Sequence, residues 1–260
     1  MDNVRQILTF DDKEEMAGFM AEKWRSLSVS SVGERGCFVV ALSGGTTPVP
    51  LYRALAAHRQ DIPWDRTHLF LADERFVPAA SPESNLRLIR ETLLKGIALP
   101  ARNVHAIATD DPDPPSAARR YEGELITFFR LSRGELPRFD LIILGMGSDG
   151  HTASLFPGSP ALRNESFLAC AVAPAGGRLQ RITLTLPVLN NARNVVFLVS
   201  GAPKAAMLRT VVEDEDPALP AVLVKPERGS LLILADRDAS RLLKEGARFA
   251  SQRGRPGTHQ

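Results

Sequence analysis

The sequence predicts an α/β fold, a mostly parallel sheet with helices on both faces. Two observations carry this. Short apolar, β-branched runs recur along the chain and read as strands buried on both faces. Amphipathic stretches of helical period lie between them, and parallel neighbours need such crossovers.

In chain order, strands are expected at residues 37–42, 68–72, 140–144, 194–199 and 231–235, and helices at 49–57, 84–94, 116–131, 204–212 and 238–250. The cluster Asp110-Asp111-Pro112-Asp113-Pro114-Pro115 reads as an internal turn ahead of an N-cap at Ser116. The acidic run Glu213-Asp214-Glu215-Asp216 follows a helix and precedes Pro217, which predicts a solvated loop. Residues 1–251 are expected to form one α/β domain. The last nine residues, 252–260, offer nothing apolar to bury and are expected to be a disordered tail.

With 260 residues, 44% of them hydrophobic, the chain can bury a sizeable core. Its 32 Lys and Arg against 30 Asp and Glu leave a formal charge of +2, too balanced for a nucleic-acid binder. One small anion is still within reach, because a phosphate needs only a few placed donors. Cys37 and Cys170 lack the spacing of a disulfide framework or zinc cluster and are read as buried free thiols. The N-terminus turns acidic where a signal peptide would be apolar, and no run reaches membrane-spanning length, so a cytoplasmic protein is expected.

Ligands on such sheets bind beyond the carboxyl ends of the strands, which directs attention to the loops there. The first strand runs into Ser43-Gly44-Gly45-Thr46-Thr47-Pro48 and a helix. Adjacent glycines and hydroxyls before a helix N-terminus suit a phosphate, and they suit a tight strand-to-helix turn equally. The second strand ends in Asp73-Glu74-Arg75, either a sugar- and phosphate-binding group or a self-satisfied ion cluster capping the sheet. Ser84-Asn85 reads as a helix cap.

After the strand at 140–144 comes Gly145-Met146-Gly147-Ser148-Asp149-Gly150-His151-Thr152. Here an imidazole follows a carboxylate by two positions on a glycine-rich turn. Histidine can take a proton from water near neutral pH, and a neighbouring carboxylate can fix its tautomer. His58, His68, His105 and His259 lack such a setting and are read as structural or surface residues. The same glycines satisfy Gly-x-Gly-x-x-Gly, but no helix opens within the turn and no acidic residue ends a strand at the distance a dinucleotide site needs. A purely structural turn is the third reading. Arg181 and Lys204, the latter entering a helix after Ser200-Gly201, either reach a phosphate or are solvated. Neither a Gly-x-Ser-x-Gly elbow nor a closely spaced His or Cys pair is visible.

The motifs Leu42-Ser43-Gly44-Gly45-Thr46, Asp73-Glu74-Arg75, the turn above continued through Ala153-Ser154-Leu155-Phe156-Pro157, Arg181-Ile182-Thr183 and Gly201-Ala202-Pro203-Lys204 resemble those of 6-phosphogluconolactonases, across essentially the whole chain. The resemblance implies a Rossmann-like domain similar to glucosamine-6-phosphate deaminase and ribose-5-phosphate isomerase folds. It implies hydrolysis of 6-phospho-D-glucono-1,5-lactone, the second step of the oxidative pentose phosphate pathway, by a carboxylic ester hydrolase with no cofactor and no metal. His151 matches the general base, Asp149 its support, and Asp73 and Arg75 substrate contacts; for the oxyanion, either Arg75 or nearby backbone amides are expected to donate. Gly44, Gly45, Thr46, Arg181 and Lys204 then lie near the phosphate. The expected partner is a small sugar-phosphate lactone, not nucleic acid or a membrane, with the protein a monomer or at most a weak homodimer.

Two relatives of other function are weighed. The deaminase pattern resembles Asp-Gly-His-Ile-Ala-Phe-Asn-Glu, and its last carboxylate falls on Phe156 here, which cannot move a proton. Sugar-sensing repressor modules would accompany a helix-turn-helix segment, and none is apparent.

Overall fold

The computed structural model describes residues 5–57, 59–173 and 176–244. The expected tail at 252–260, the end of the expected domain, most of the helix at 238–250, His58 and His259 lie outside the described residues.

In chain order the elements are β1 (Arg5–Phe10), α1 (Lys13–Arg35), β2 (Phe38–Leu42), α2 (Val49–Ala57), β3 (Thr67–Leu71), β4 (Asp73–Arg75), α3 (Asn85–Thr92), β5 (Val104–His105), α4 (Pro114–Phe129), β6 (Leu141–Gly145), β7 (Ala169–Val172), β8 (Arg181–Leu184), α5 (Leu186–Asn190), β9 (Asn194–Val199), α6 (Ala205–Arg209), α7 (Pro220–Leu223), β10 (Ser230–Asp236) and α8 (Arg237–Ser240). Seven strands form a parallel sheet in the order β1-β10-β9-β6-β2-β3-β5. Every residue of β2 is buried, so layers cover both faces there, as its unbroken apolar run predicts.

From the adjacent strands β2 and β6 the chain departs in opposite directions, toward β3 and β5 on one side and toward β9, β10 and β1 on the other. The loops leaving those two strands therefore flank a topological switch point, where a crevice opens at the carboxyl edge of the sheet.

A second sheet, β4-β8-β7, is antiparallel and joins the same hydrophobic core through Ile182 and Leu184. It stands beside the mostly parallel sheet that was expected, and its strand β8 begins at Arg181-Ile182-Thr183, which reads as β-like in the sequence. Its register sets Arg75 opposite Arg181 and Asp73 opposite Thr183.

Other expectations are corrected in detail. The N-cap of α4 is Asp113, whose side chain accepts from Ser116 N, with prolines in the first turn; Ser116 is already helical. The helix expected at 204–212 narrows to α6 and continues as a π-turn over Thr210–Asp214. That turn absorbs part of the acidic run, where Glu213 meets Lys244 and Glu215 meets Arg5. Cys37 and Cys170 are free thiols, half-buried and not fully enclosed. His68 and His105 share a hydrogen bond at 3.1 Å beside Phe70 and Phe128, a structural use. Among the described residues, no helix is long and apolar enough to cross a membrane.

Candidate active site

The loops after β2, β3, β6 and β9 enclose a cleft of ≈ 240 Å³ at the switch point. Gly44, Gly45, Thr46, Asp73, Arg75, His151, Arg181 and Lys204 all line it. Asp149 does not line it but is tied to His151, so the structure brings every candidate residue to one place.

The turn after β6 folds back on itself. Gly147 N donates to His151 O at 2.8 Å, Gly150 N donates to Gly147 O at 3.2 Å, and Thr152 pairs with Leu155. No helix opens there, and these amides are used internally, unlike those of a dinucleotide loop. Ala153 takes a left-handed φ of 47°, which costs a residue with a Cβ about 1 kcal/mol or more.

His151 Nδ1 lies 2.5 Å from Asp149 Oδ1, and His151 N donates to the same oxygen at 3.2 Å. With Nδ1 held by the carboxylate, Nε2 is the nitrogen left for proton transfer. Burial raises the Asp149 carboxyl, but the His151 hydrogen bond, the imidazole charge and the backbone bonds outweigh it and hold it below its usual range. Phe156 packs against the imidazole in a tilted arrangement with centroids 4.6 Å apart, and the Arg178 and Arg181 guanidinium carbons lie 5.8 and 5.5 Å from its ring centre.

Within Asp73-Glu74-Arg75 the two readings divide between residues. Glu74, 1% exposed, accepts from Arg75 N at 2.8 Å, Ser84 Oγ at 3.1 Å, Asn85 N at 2.7 Å and Leu86 N at 2.8 Å, pinning the start of α3 to β4. Burial pushes its carboxyl up, opposed by those amide bonds. Glu74→Ala would strand buried donors, so we expect a loss of about 3 kcal/mol, a fall in Tm of about 6–10 °C for a chain of this size. Calorimetry showing a shift under about 2 °C would contradict this account of Glu74.

Asp73 accepts from Ser154 Oγ at 2.6 Å and from Asn85 Nδ2 at 3.4 Å, with Arg181 at 3.9 Å. Burial holds the Arg181 guanidinium below its usual range; the Asp73 charge opposes that shift, while those of Arg75 and Arg178 add to it. Arg75 and Arg181 each keep a buried Nε without a hydrogen-bond partner among the described residues. The amides of Gly45, Thr46 and Thr47 likewise donate to nothing among the described residues. Lys204 ends a 3-10 turn before α6, placed by Asp236, which accepts from Ser200 Oγ and Gly201 N. Arg75, Arg181, Lys204 and the loop after β2 thus gather at the cleft, an arrangement that suits an anion.

The sequence marks neither Asn85 nor Ser154 as a site residue. Ser84-Asn85 reads there as a cap; Ser84 alone fills that role, accepting from Arg87 N, while Asn85 lines the cleft.

Residues 11–233 match the family model for glucosamine-6-phosphate isomerases/6-phosphogluconolactonase. The chain belongs to the glucosamine-6-phosphate isomerase/6-phosphogluconolactonase family. Among curated members, 6-phosphogluconolactonase of a Synechocystis strain is 45% identical over 82% of this chain and 88% of that one. The crystal structure of 6-phosphogluconolactonase from Thermotoga maritima has a TM-score of 0.77 and 35% identity, covering 89% of this chain and 100% of that one. A monomeric glucosamine-6-phosphate deaminase, 19% identical, matches with a TM-score of 0.77 over 91% of this chain and 99% of that one, which shows that the family's fold is shared with deaminases.

Proposed function

We propose that the protein hydrolyses 6-phospho-D-glucono-1,5-lactone to 6-phospho-D-gluconate, with water deprotonated by His151 and the substrate anchored through its phosphate. Kinship places the chain among enzymes of the 6-phosphogluconolactonase class, lactone hydrolases of the pentose phosphate pathway. The finer reading rests on one observation: a carboxylate-held imidazole faces the same cleft as the cations Arg75, Arg181 and Lys204 and a loop whose amides donate to nothing among the described residues.

In this reading Gly45 and Thr46 amides, Arg181 and Lys204 take the phosphate, and Gly44 shapes the loop. His151 Nε2 removes a proton from water as it attacks C1, and Asp149 stabilises the imidazolium. The amides of Gly147, Gly150 and His151 are engaged within their turn, which favours the Arg75 guanidinium as the donor to the developing oxyanion. Asp73 retains lone pairs for a sugar hydroxyl. Ring opening then takes the proton back from His151. Phe156, packed on that imidazole, stands where a deaminase would place a carboxylate, and lactone hydrolysis needs none there.

Acid release from fresh lactone at constant pH, with the spontaneous rate subtracted, tests the reading. Acceleration is expected, and binding without acceleration would favour a sensor. Lys204→Met is expected to raise KM for the phosphorylated lactone by about 10-fold or more and to change turnover of phosphate-free gluconolactone by less than about threefold. Equal losses on both lactones would rule out phosphate anchoring.

A further inference from the structure

We infer that Ser154 is a positioning residue that keeps the Arg181 guanidinium open to the phosphate of the substrate; the inference rests on the phosphate-anchored reading above. Ser154 is fully buried and lies three positions beyond His151 on the turn after β6. Its Oγ donates to Asp73 Oδ2 at 2.6 Å and accepts from Arg181 Nη1 at 3.5 Å. One hydroxyl thus touches both the carboxylate and the guanidinium.

Asp73 and Arg181 do not close on each other. Oδ2 and Nη1 stand 3.9 Å apart, about 1 Å beyond a charge-assisted hydrogen bond. Asp73 is 4% exposed, and the other side-chain donor to its carboxylate among the described residues is Asn85 Nδ2, at 3.4 Å from Oδ1. Ser154 therefore supplies the short bond that this buried group needs. A hydroxyl can do so without adding charge, and can accept from the arginine at the same time. With Oδ2 occupied, nothing draws Arg181 away from the cleft it lines. Among the described residues Arg181 spends a single side-chain donor, Nη1, on the long bond to Ser154, and otherwise rests against the Phe156 ring.

Without the hydroxyl the balance changes. Oδ2 of Asp73 becomes a buried carboxylate oxygen with no donor, and the neighbouring guanidinium is the group able to satisfy it. A shift of about 1 Å closes the pair, and the donors drawn onto Asp73 are lost to the phosphate. The main chain of the turn has its own anchor: Ser154 N donates to Thr183 Oγ1 at 3.2 Å, and Thr183 sits opposite Asp73 in the pairing of β4 with β8. The side chain of Ser154 is thus left for Asp73 and Arg181.

A double-mutant cycle on the binding of 6-phospho-D-gluconate, followed by titration calorimetry, tests this. Ser154→Ala is expected to weaken binding by about 10-fold, and Arg181→Met by at least as much. With Arg181→Met already in place, Ser154→Ala should change Kd by less than about threefold, because the guanidinium it acts through is gone. A serine that served only to stabilise the fold would lower Tm and the fraction of protein able to bind, and leave the Kd of that fraction unchanged. Ser154→Cys, with a far weaker donor on a side chain of similar size, repeats the cycle if the first variants do not fold. A Kd for Ser154→Ala within about threefold of the unaltered protein would overturn the inference, as would a loss that is equal with and without Arg181. Acid release from the lactone is followed separately on the unaltered protein. Hydrolysis, together with a Ser154→Ala protein that binds normally, defeats the Ser154 inference alone; a coupled cycle in a protein that leaves the lactone untouched defeats the catalytic reading alone. An Arg181→Met protein that binds normally defeats phosphate anchoring by Arg181, and the inference falls with it.

Discussion

Replacing His151 with glutamine is expected to slow lactone turnover by about 10²–10⁴-fold while the fold and ligand affinity persist. Glutamine is close to imidazole in reach and can still donate toward Asp149, but it cannot take a proton from water. The side chain is 28% exposed, so little core packing is at stake. Affinity for 6-phospho-D-gluconate should stay within about threefold, because the donors assigned to the phosphate lie on other loops. Near-normal turnover in a folded variant would end the general-base assignment.

The strands legible in the sequence are those whose burial is nearly uniform. Strands β2, β6, β9 and β10 are apolar on both faces and appear within a residue or two of their expected bounds. Helix α1, the longest at 23 residues, gave no comparable signal. Its buried stripe runs Met16, Met20, Trp24 and then Ser28 and Ser31, while Val29 is 54% exposed, so polarity and burial part company halfway along. Strands β4, β7 and β8 have three or four residues, too few for a period to show. At the site, the residues borne on strand-end loops could be found because the sheet brings those loops together whatever the side chains are. Ser154 and Asn85 could not, since their partner Asp73 stands 81 and 12 positions away and no local pattern encodes the pairing. Gly44 and Gly147 were visible as glycines, but what forbids a side chain at each is a neighbour that only the folded chain supplies.

Gly147→Ala carries the other large expected effect, and separates the geometry of the dyad from its chemistry. The substitution leaves both titrating groups in place. A Cβ at this position would lie 2.0 Å from His151 Nδ1, 2.4 Å from its Cε1 and 2.3 Å from Asp149 Oδ1, all inside any tolerable contact. Gly147 is not among the glycines with positive φ, so alanine meets no backbone penalty and the clash alone decides the outcome. His151 and Asp149 are 28% and 40% exposed, and one or both can swing toward solvent at little cost to the core. Stability should therefore change by less than about 1.5 kcal/mol. Turnover should fall by about 10²-fold, the scale set by roughly 1 Å of misplacement at a reacting group, with KM for the lactone nearly unchanged. Gly123→Ala, in the interior of α4 where a Cβ meets nothing within 4 Å, controls for the glycine-to-alanine change itself. Should Gly147→Ala turn over like the unaltered protein, contact between His151 and Asp149 would be dispensable, and any water activation would have to work from an imidazole without its carboxylate.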